Sequence, residues 1–214
     1  REFIMTTIYI LRHSQPFRKL LGNYNANELE QIRNEKNMLS VDGERLAEKM
    51  SRRDELQNID VLYSSHYVRA MCTAKYISDR NNILLNVDER FGERRFGVND
   101  MSELPKTFFE DQFRDWNYKL DNGESANEVC ERMYNGIMDV LSEHPNKQIA
   151  IVSHGTAILT LLSKWCDVVL NEDTKLIEIY FNKKLVFDGD WKCPELFKLE
   201  FDDNNMLISI NNIR

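Results

Sequence analysis

The sequence has few of the residues that mark metal-binding or disulfide-bonded proteins. Its 214 residues include four cysteines, at positions 72, 130, 166 and 193, and no Cys-x-x-Cys pair. This spacing offers no zinc site and is typical of proteins from a reducing compartment. We therefore expect a cytoplasmic protein with structural thiols, without a metal and without another cofactor.

Long apolar runs and an excess of positive charge are also missing. No run of apolar residues approaches the ~20 needed to cross a bilayer. The formal net charge is −7, whereas a general nucleic-acid-binding protein needs a basic face. We therefore expect neither a membrane nor a nucleic acid as a partner. An anionic small molecule remains compatible with this charge, because a local cluster of arginines can lie inside an acidic protein.

The rest of the composition is typical of a globular protein. Hydrophobic residues make up 42% of the chain, and it contains no repeat, low-complexity tract or linker. This length and composition indicate one domain with a sizeable core. We assign residues 1–4, which precede Met5, to an expression remnant and residues 5–214 to a single domain. The sequence allows a homodimer without specifying one.

Hydrophobic periodicity divides the chain into alternating strands and helices. Strands are predicted at residues 6–11, 60–63, 83–87 and 148–152, and helices at 28–36, from 40 onwards, and at 67–80, 104–120, 125–142 and 156–164. Residues 195–201 and 206–210 predict a hairpin, whereas residues 166–194 show no clear pattern. The alternation indicates an α/β layered fold with a mainly parallel sheet.

Charged side chains follow several of these predicted strands directly. Arg12 and His13 follow the first strand, and His154 follows the strand at 148–152. Ser64 and Ser65 follow another strand, which places Arg69 in the first turn of the next helix. Ligands of open α/β sheets bind beyond the carboxyl ends of the strands. We therefore expect Arg12, His13, Arg69 and His154 to share one crevice, with Glu93 at its rim.

This set of residues suits phosphoryl transfer. Guanidinium groups hold phosphate oxygens by charge-assisted bonds, and a neutral imidazole can attack phosphorus. Nearby arginines disfavour the imidazolium and so keep the nucleophile unprotonated. Glu93 would protonate the leaving oxygen and then activate water. Taken singly, each residue also has a structural interpretation, such as an exposed helix cation for Arg69. His66 and His144 receive no functional assignment.

Six segments, in order, resemble the motifs of the histidine phosphatase superfamily, in its phosphoglycerate-mutase-like branch. They are Arg-His-Ser-Gln at 12–15, Leu-Ser-Val-Asp-Gly at 39–43, Ser-Ser-His-Tyr-Val-Arg-Ala-Met-Cys-Thr-Ala at 64–74, Glu-Arg-Arg-Phe-Gly at 93–97, Gly-Glu-Ser at 123–125 and Ser-His-Gly at 153–155. Each segment alone is weak evidence, but the ordered set is specific.

The resemblance implies both a fold and a division of roles. The fold would be a three-layer α/β/α sandwich with a flap at about residues 98–124. His13 would be the phosphorylated nucleophile, Glu93 the proton donor, and Arg12, Arg69 and His154 the phosphate pocket. We add the adjoining Ser14, Gln15 and Arg94 as substrate contacts.

Departures from the family pattern favour a metal-independent phosphatase for a small phosphorylated metabolite. Ser14 replaces the usual glycine, Pro16 stands where a hydroxyl residue is common, and Lys19 stands where the mutases commonly have asparagine. No equivalent of their longer basic insertion is evident. Two alternatives stay open. Arg94 and Arg95 could hold a second acidic group, as in a bisphosphoglycerate-dependent mutase. A non-catalytic regulatory protein could also have kept the phosphate pocket.

Overall fold

The fold is built around a six-stranded sheet. A computed structural model describes residues 5–17 and 30–214. The strand order is β3-β2-β4-β1-β8-β9. The strands are β1 (Thr6–Arg12), β2 (Val61–Ser64), β3 (Leu85–Val87), β4 (Gln148–Ser153), β8 (Glu195–Phe201) and β9 (Leu207–Asn212). The first four of these in the strand order pair in parallel, whereas β8 runs antiparallel to β1 and β9 antiparallel to β8. The mainly parallel sheet is therefore confirmed.

Helices cover both faces of this sheet. They are α1 (Glu30–Lys36), α2 (Val41–Ser51), α3 (Val68–Asn81), α4 (Phe108–Arg114), α5 (Ala126–Glu143) and α6 (Gly155–Leu162). In β1, Ile8 and Ile10 pack in the core formed with α5 and α6, whereas Tyr9 and Leu11 pack in the core formed with α3. Successive strand residues point to opposite faces, so β1 is buried on both sides. The predicted three-layer sandwich is confirmed.

Capping residues define where the main helices begin. The Ser40 hydroxyl accepts a hydrogen bond from the Gly43 N–H and caps α2. At α5, Ser125 and Glu128 form a reciprocal capping box. Each cap satisfies backbone donors that have no partner inside the helix. The long helix α5 is thereby fixed at the end that lies next to Glu124.

The predicted helix at residues 104–120 is wrong in extent. A short 3-10 turn covers Met101–Glu103, and α4 spans only Phe108–Arg114. Asp115 ends the helix, because its side chain accepts a hydrogen bond from the Asn117 N–H and forms a local turn. The aromatic periodicity that suggested a longer helix instead reflects an aromatic cluster, in which Phe108 contacts Phe96 and Tyr118.

Residues 166–194, for which the sequence predicted no structure, contain a second sheet. It has three antiparallel strands in the order β5-β6-β7, namely β5 (Asp167–Leu170), β6 (Ile177–Phe181) and β7 (Lys184–Phe187). Asn182 and Lys183 both have positive φ in the tight turn between β6 and β7. Ile179 and Phe187 are fully buried and join this sheet to the main core.

The remaining predicted elements have nearly the expected bounds. The predicted hairpin corresponds to β8 and β9, and the predicted polar helix corresponds to α1, although residues 28 and 29 and Lys19 lie outside the described residues. Within the described ranges, no helix has both the length and the apolar character needed to cross a membrane.

Candidate active site

Two neighbouring parallel strands bring the two histidines together. The His13 N–H donates to the Ser153 carbonyl, which continues the pairing of β1 with β4 by one residue. His154 follows Ser153 directly, and its ring centroid lies 5.0 Å from that of His13. Both side chains are buried. The juxtaposition thus follows from the parallel register of two strands and needs no special loop.

Arg69 connects the two imidazoles. Its Nε lies 3.0 Å from His13 Nε2 and its Nη2 lies 3.3 Å from His154 Nδ1. Arg69 also donates from Nη1 to the Asn34 carbonyl and stacks on the Tyr67 ring at 4.7 Å. The guanidinium is therefore held on several sides, and burial lowers its pKa. It remains positively charged in proteins at any ordinary pH.

The tautomer of His13 follows from its partners. Nδ1 lies 2.6 Å from the Ser14 carbonyl oxygen, which can only accept a hydrogen bond, so Nδ1 carries the proton. Arg69 can only donate, so Nε2 presents a lone pair. Burial, and then the positive charge of Arg69, lowers the pKa of His13 well below its ordinary value. His13 is therefore a neutral imidazole with its nucleophilic nitrogen facing the guanidinium.

His154 is oriented by the same reasoning. Nδ1 accepts from Arg69, so the proton of the neutral ring lies on Nε2, which is 2.7 Å from the Ser65 hydroxyl oxygen. Burial lowers the pKa of His154 well below its ordinary value, and Arg69 adds to the effect. Ser65 is itself fully buried after β2. The predicted Ser-Ser segment thus orients the second histidine.

Arg12 lies at the edge of this cluster. Its Nη1 donates to the Lys192 carbonyl, and its guanidinium lies 5.7 Å from the centre of the Trp191 ring. The buried Nε has no hydrogen-bond partner among the described residues. A Cβ on Gly155 would lie 3.5 Å from this Nε, in ordinary van der Waals contact. Arg12 also contributes to the lowered pKa of His13.

The Glu93 carboxylate lies at the start of α6, the helix that begins directly after His154. Its carboxylate accepts hydrogen bonds from the N–H groups of Ala157 at 3.0 Å and Thr156 at 3.4 Å, and from the N–H of Arg94 at 2.9 Å. Burial raises the pKa of Glu93, while these N–H groups and the charge of Arg69 oppose the rise. A carboxyl group with a raised pKa is suited to proton transfer near neutral pH.

A cavity of about 360 Å³ opens beside Glu93. Its lining comprises Gln31, Glu35, His66, Tyr67, Glu89, Arg90, Gly92, Glu93, Arg95, Glu124 and Arg132. Arg132 donates to both carboxylate oxygens of Glu124 and to the carbonyls of Arg90, Gly92 and Glu93. This arginine therefore holds the backbone that carries Glu93.

Most of these lining residues were not predicted from the sequence. Glu124 had a signal in the Gly-Glu-Ser segment. Arg132, Gln31 and Glu35 had none, because they lie on amphipathic or polar helices where a charged residue is the rule. His66 received no functional assignment, although the motif around it places it at the mouth of the cavity. Only the structure shows that Arg132, Gln31, Glu35 and His66 line one cavity.

Two of the predicted substrate contacts have side chains that are engaged inside the protein. Arg94 is buried, donates to the carbonyls of Glu124 and Tyr118 and lies over the Phe108 ring. The Ser14 hydroxyl is also buried and donates to the Gly43 carbonyl, while its N–H donates to Thr73. The role of both residues as substrate contacts stays a prediction.

Gln15 has an exposed side chain, and its role as a substrate contact stays a prediction. Its carbonyl accepts a hydrogen bond from the Ser40 N–H. A Cβ on Gly43 would lie 2.1 Å from this carbonyl oxygen. The turn after β1 is therefore pressed against the beginning of α2.

Across residues 5–17 and 30–214, no group of three or more His, Cys, Asp or Glu residues is placed to hold a metal ion.

A buried histidine pair, bridged by arginine at the carboxyl ends of parallel strands, defines a phosphoryl-transfer site of the histidine phosphatase class. The chain belongs to that superfamily, because the model of the histidine phosphatase superfamily, branch 1, matches residues 8–180. The predicted family is therefore confirmed.

Individual relatives include both phosphatases and mutases. The chain is 30% identical over 172 residues to the putative phosphoserine phosphatase 2 of Hydrogenobacter thermophilus, covering 74% of this chain and 79% of the relative. It is 26% identical over 181 residues to the probable phosphoglycerate mutase GpmB of Erwinia tasmaniensis, covering 80% of each. Among solved structures, a mycobacterial glucosyl-3-phosphoglycerate phosphatase is similar in fold, with a TM-score of 0.66, 18% identity, and coverage of 98% of this chain and 96% of that one.

Proposed function

We propose that the protein hydrolyses phosphomonoesters of small metabolites through a phosphohistidine intermediate on His13, without a metal or another cofactor. The bridge of Arg69 between His13 Nε2 and His154 Nδ1 carries this proposal. A phosphoryl group entering at the guanidinium would meet the lone pair of His13 and the donors of Arg69 together. Membership of the histidine phosphatase superfamily supports the same reaction.

In the first half of the reaction, His13 Nε2 attacks phosphorus. The bond from phosphorus to the leaving oxygen breaks, and its electron pair stays on that oxygen, which takes the proton of Glu93. Arg69 holds the non-bridging oxygens as their charge is redistributed, with Arg12 and His154 beside them. Such preorganised donors are worth ~10²–10³ in rate each.

In the second half, water replaces the departed alcohol. The Glu93 carboxylate removes a proton from the water, whose oxygen attacks phosphorus. The bond from phosphorus to Nε2 breaks, and its electron pair returns to the imidazole. Inorganic phosphate then leaves, and Glu93 is protonated again. The backbone clamp by Arg132 keeps Glu93 in position through both steps.

Two competing functions make different predictions. A mutase, which the GpmB relative supports, would return the phosphoryl group to a second hydroxyl instead of water. A non-catalytic phosphate-binding protein would need no proton donor such as Glu93. The geometry of the buried carboxyl at the start of α6 therefore favours catalysis over binding alone.

The test compares wild type with His13→Ala on 4-nitrophenyl phosphate, with and without EDTA. We expect a loss of roughly 10⁴-fold or more in His13→Ala, as for other covalent nucleophiles, and no effect of EDTA. The control is His144→Ala, since the His144 ring contacts Tyr63 and not His13, Arg69 or His154. Turnover that survives His13→Ala or stops with EDTA would refute the proposal.

A coupled assay separates hydrolysis from mutase activity. Wild type is given 3-phosphoglycerate, and both phosphate release and 2-phosphoglycerate are measured. We expect phosphate release to be the faster process, and the reverse would establish a mutase. A cytoplasmic location and a homodimer stay predictions, which fractionation and sedimentation would test.

A further inference from the structure

Arg12 keeps its charge for a ligand, although a carboxylate stands opposite it in the sheet. In the proposed function Arg12 holds phosphate oxygens, and the present inference rests on that function. Among the described residues, the Arg12 side chain contacts the Lys192 carbonyl and the Trp191 ring and pairs with no carboxylate. Both contacts come from residues 188–192, which connect β7 with β8 and are called the 188–192 loop below.

Glu195 is the carboxylate that stands opposite Arg12. The two residues are partners in the antiparallel pairing of β1 with β8. The Cβ atoms of such partners lie about 4.5–5.5 Å apart, and opposite charges at these positions attract each other. Both side chains also reach Lys192, whose N–H donates to Glu195 Oε2 at 2.7 Å and whose carbonyl accepts from Arg12 at 3.2 Å. The Glu195 side chain is 1% exposed, so an unpaired charge there would be costly. Glu195 would therefore compete with phosphate for Arg12 unless another cation engages it.

Arg214 is the cation that engages Glu195. Its Nε lies 3.4 Å from Glu195 Oε1, which also accepts from Asn212 at 2.8 Å. Its Nη1 and Nη2 each lie 2.7 Å from an oxygen of Asp188, and Nη2 also donates to the Asp190 carbonyl. A forked pair of this kind fixes the plane of the guanidinium. Arg214 thus binds both the 188–192 loop and the carboxylate opposite Arg12.

An aromatic stack joins the same two arginines. The Arg214 guanidinium lies 5.5 Å from the centre of the Phe187 ring, and the Phe187 ring lies 4.6 Å from the Trp191 ring. Trp191 in turn lies 5.7 Å from the Arg12 guanidinium. Cations are attracted to the faces of aromatic rings. Arg214 is therefore connected to Arg12 by two routes, one through Glu195 and Lys192 and one through the two rings.

We propose that Arg214 is a positioning residue for phosphate binding, because it engages Glu195 and thereby leaves the Arg12 guanidinium available to the phosphoryl group. Arg12 is the residue that touches the substrate, and Arg214 acts through it. The 188–192 loop supplies the Lys192 carbonyl and the Trp191 ring that hold Arg12 in place.

A matched pair of variants separates the charge of Arg214 from its size. Arg214→Gln removes the charge, whereas Arg214→Lys keeps it. Calorimetry measures the Kd for inorganic phosphate, and steady-state rates on 4-nitrophenyl phosphate give KM and kcat. We expect Kd and KM to rise roughly 10-fold in Arg214→Gln, as for one lost hydrogen bond to a charged group, and to stay within about threefold of wild type in Arg214→Lys. The change in kcat should be smaller, because Arg12 holds the phosphoryl group before and during transfer. Equal phosphate affinities of the two variants would overturn the proposal.

Removal of the Glu195 charge distinguishes this role from a purely structural one. Glu195→Gln alone should bind phosphate as wild type does. In the Glu195→Gln background, Arg214→Gln should lower the affinity by less than about threefold, because no carboxylate remains to capture Arg12. A structural role of Arg214 predicts the full loss in both backgrounds, and that result would refute the proposal.

Two further variants control for stability. Asp188→Asn weakens the forked pair but leaves the charge of Arg214 beside Glu195. It should lower the melting temperature and change the Kd for phosphate by less than about threefold; a loss as large as that in Arg214→Gln would assign the effect to the loop and reject the proposal. Arg53→Gln removes another arginine–carboxylate pair, with Glu55 at 3.3 Å, ahead of β2, and should leave phosphate affinity unchanged. Thermal unfolding verifies that each variant is folded at the assay temperature.

Phosphate binding does not depend on turnover, so the two proposals can fail separately. Phosphate affinity that depends on the charge of Arg214, without any hydrolysis of esters, would refute the proposed function and support this inference. Hydrolysis of 4-nitrophenyl phosphate that depends on His13, together with wild-type phosphate affinity in Arg214→Gln, would reject this inference and leave the proposed function standing.

Discussion

The strand-end cluster of His13, Arg69 and His154 and the predicted flap region, residues 98–124, are held together in different ways. In the cluster, the side chains have hydrogen-bond partners from other segments, as when Arg69 contacts His13, His154 and the Asn34 carbonyl. In residues 98–124, aromatic rings pack around Phe108, which lies 5.8 Å from Phe96 and 5.6 Å from Tyr118. The cluster depends on directional contacts that fix charge and tautomer, whereas the predicted flap region depends on contacts between aromatic rings. The two regions should therefore respond differently to substitution.

After His13, the largest effect is expected at Glu93, the proposed proton donor. Glu93→Gln should lower kcat for an alkyl phosphate by ~10²–10⁴, because the leaving alcohol then departs without a proton. The loss should be smaller for 4-nitrophenyl phosphate, whose leaving group is stable as an anion. Steady-state rates on the two esters give the comparison. Equal losses would place Glu93 outside the proton transfer.

The pH dependence follows from the two shifted pKa values. The raised pKa of Glu93 keeps it protonated further towards neutral pH, and the lowered pKa of His13 keeps the nucleophile neutral in acid. Activity should therefore fall as pH rises through the pKa of Glu93 and fall again as pH drops through that of His13. A pH profile of kcat/KM tests this, and Glu93→Gln should abolish the alkaline fall.

Two buried arginines provide the most direct contrast between the regions. Arg69→Met should lower kcat/KM by about 10²–10³, since it removes the donors shared by both histidines. Arg94→Met should leave kcat/KM of the folded protein nearly unchanged and lower the melting temperature, because Arg94 contacts carbonyls and the Phe108 ring. Steady-state kinetics and thermal unfolding of both variants test these two expectations. A catalytic loss in Arg94→Met would show that the flap region and the cluster are coupled.

A stability effect is expected where the flap meets the cavity. Glu124→Gln should cost about 3 kcal/mol of unfolding free energy, at the lower end for broken buried pairs because Arg132 is 21% exposed. Burial alone would raise the pKa of Glu124, but hydrogen bonds from Arg132 lower it. This stabilisation is complete above the carboxyl's unfolded pKa and is lost as pH falls through the folded pKa. Denaturant titrations should show that the unfolding free energies of wild type and Glu124→Gln approach each other in acid.

The smallest effect is expected in the second sheet. Ile179→Val removes one methylene group from a fully buried side chain and should cost about 0.5–1.5 kcal/mol. Activity per folded molecule should not change, because no residue of that sheet lies in the strand-end cluster. Urea unfolding with a parallel rate measurement checks both. A rate loss larger than the loss of folded protein would contradict this separation.

The juxtaposition of His13 and His154 was predictable because the ends of parallel strands impose it. A residue that follows a buried parallel strand must lie at one edge of the sheet, which brought His13 and His154 together correctly. The direction of Arg94 was not predictable in this way. It follows Glu93 immediately, yet its side chain donates to the carbonyls of Glu124 and Tyr118, whereas the Glu93 carboxylate accepts from N–H groups at the start of α6.

The second sheet escaped prediction for a different reason. Its strands have four or five residues and expose alternate or irregular positions, so their apolar pattern is weak. Their burial comes from Ile179 and Phe187 meeting a core assembled from distant segments. The cavity lining was hidden in the same way, because Glu35 and Arg132 acquire their meaning only from residues far away in the chain.

The contact between Gly43 and the Gln15 carbonyl limits which substitutions the protein can accept during evolution. Any side chain at position 43 would collide with the backbone carbonyl of Gln15, two residues beyond His13. Movement of the helix alone cannot accommodate a substitution there, so the main chain that carries the His13 imidazole would have to move as well. Evolutionary change at this position of α2 is therefore constrained by the backbone next to His13.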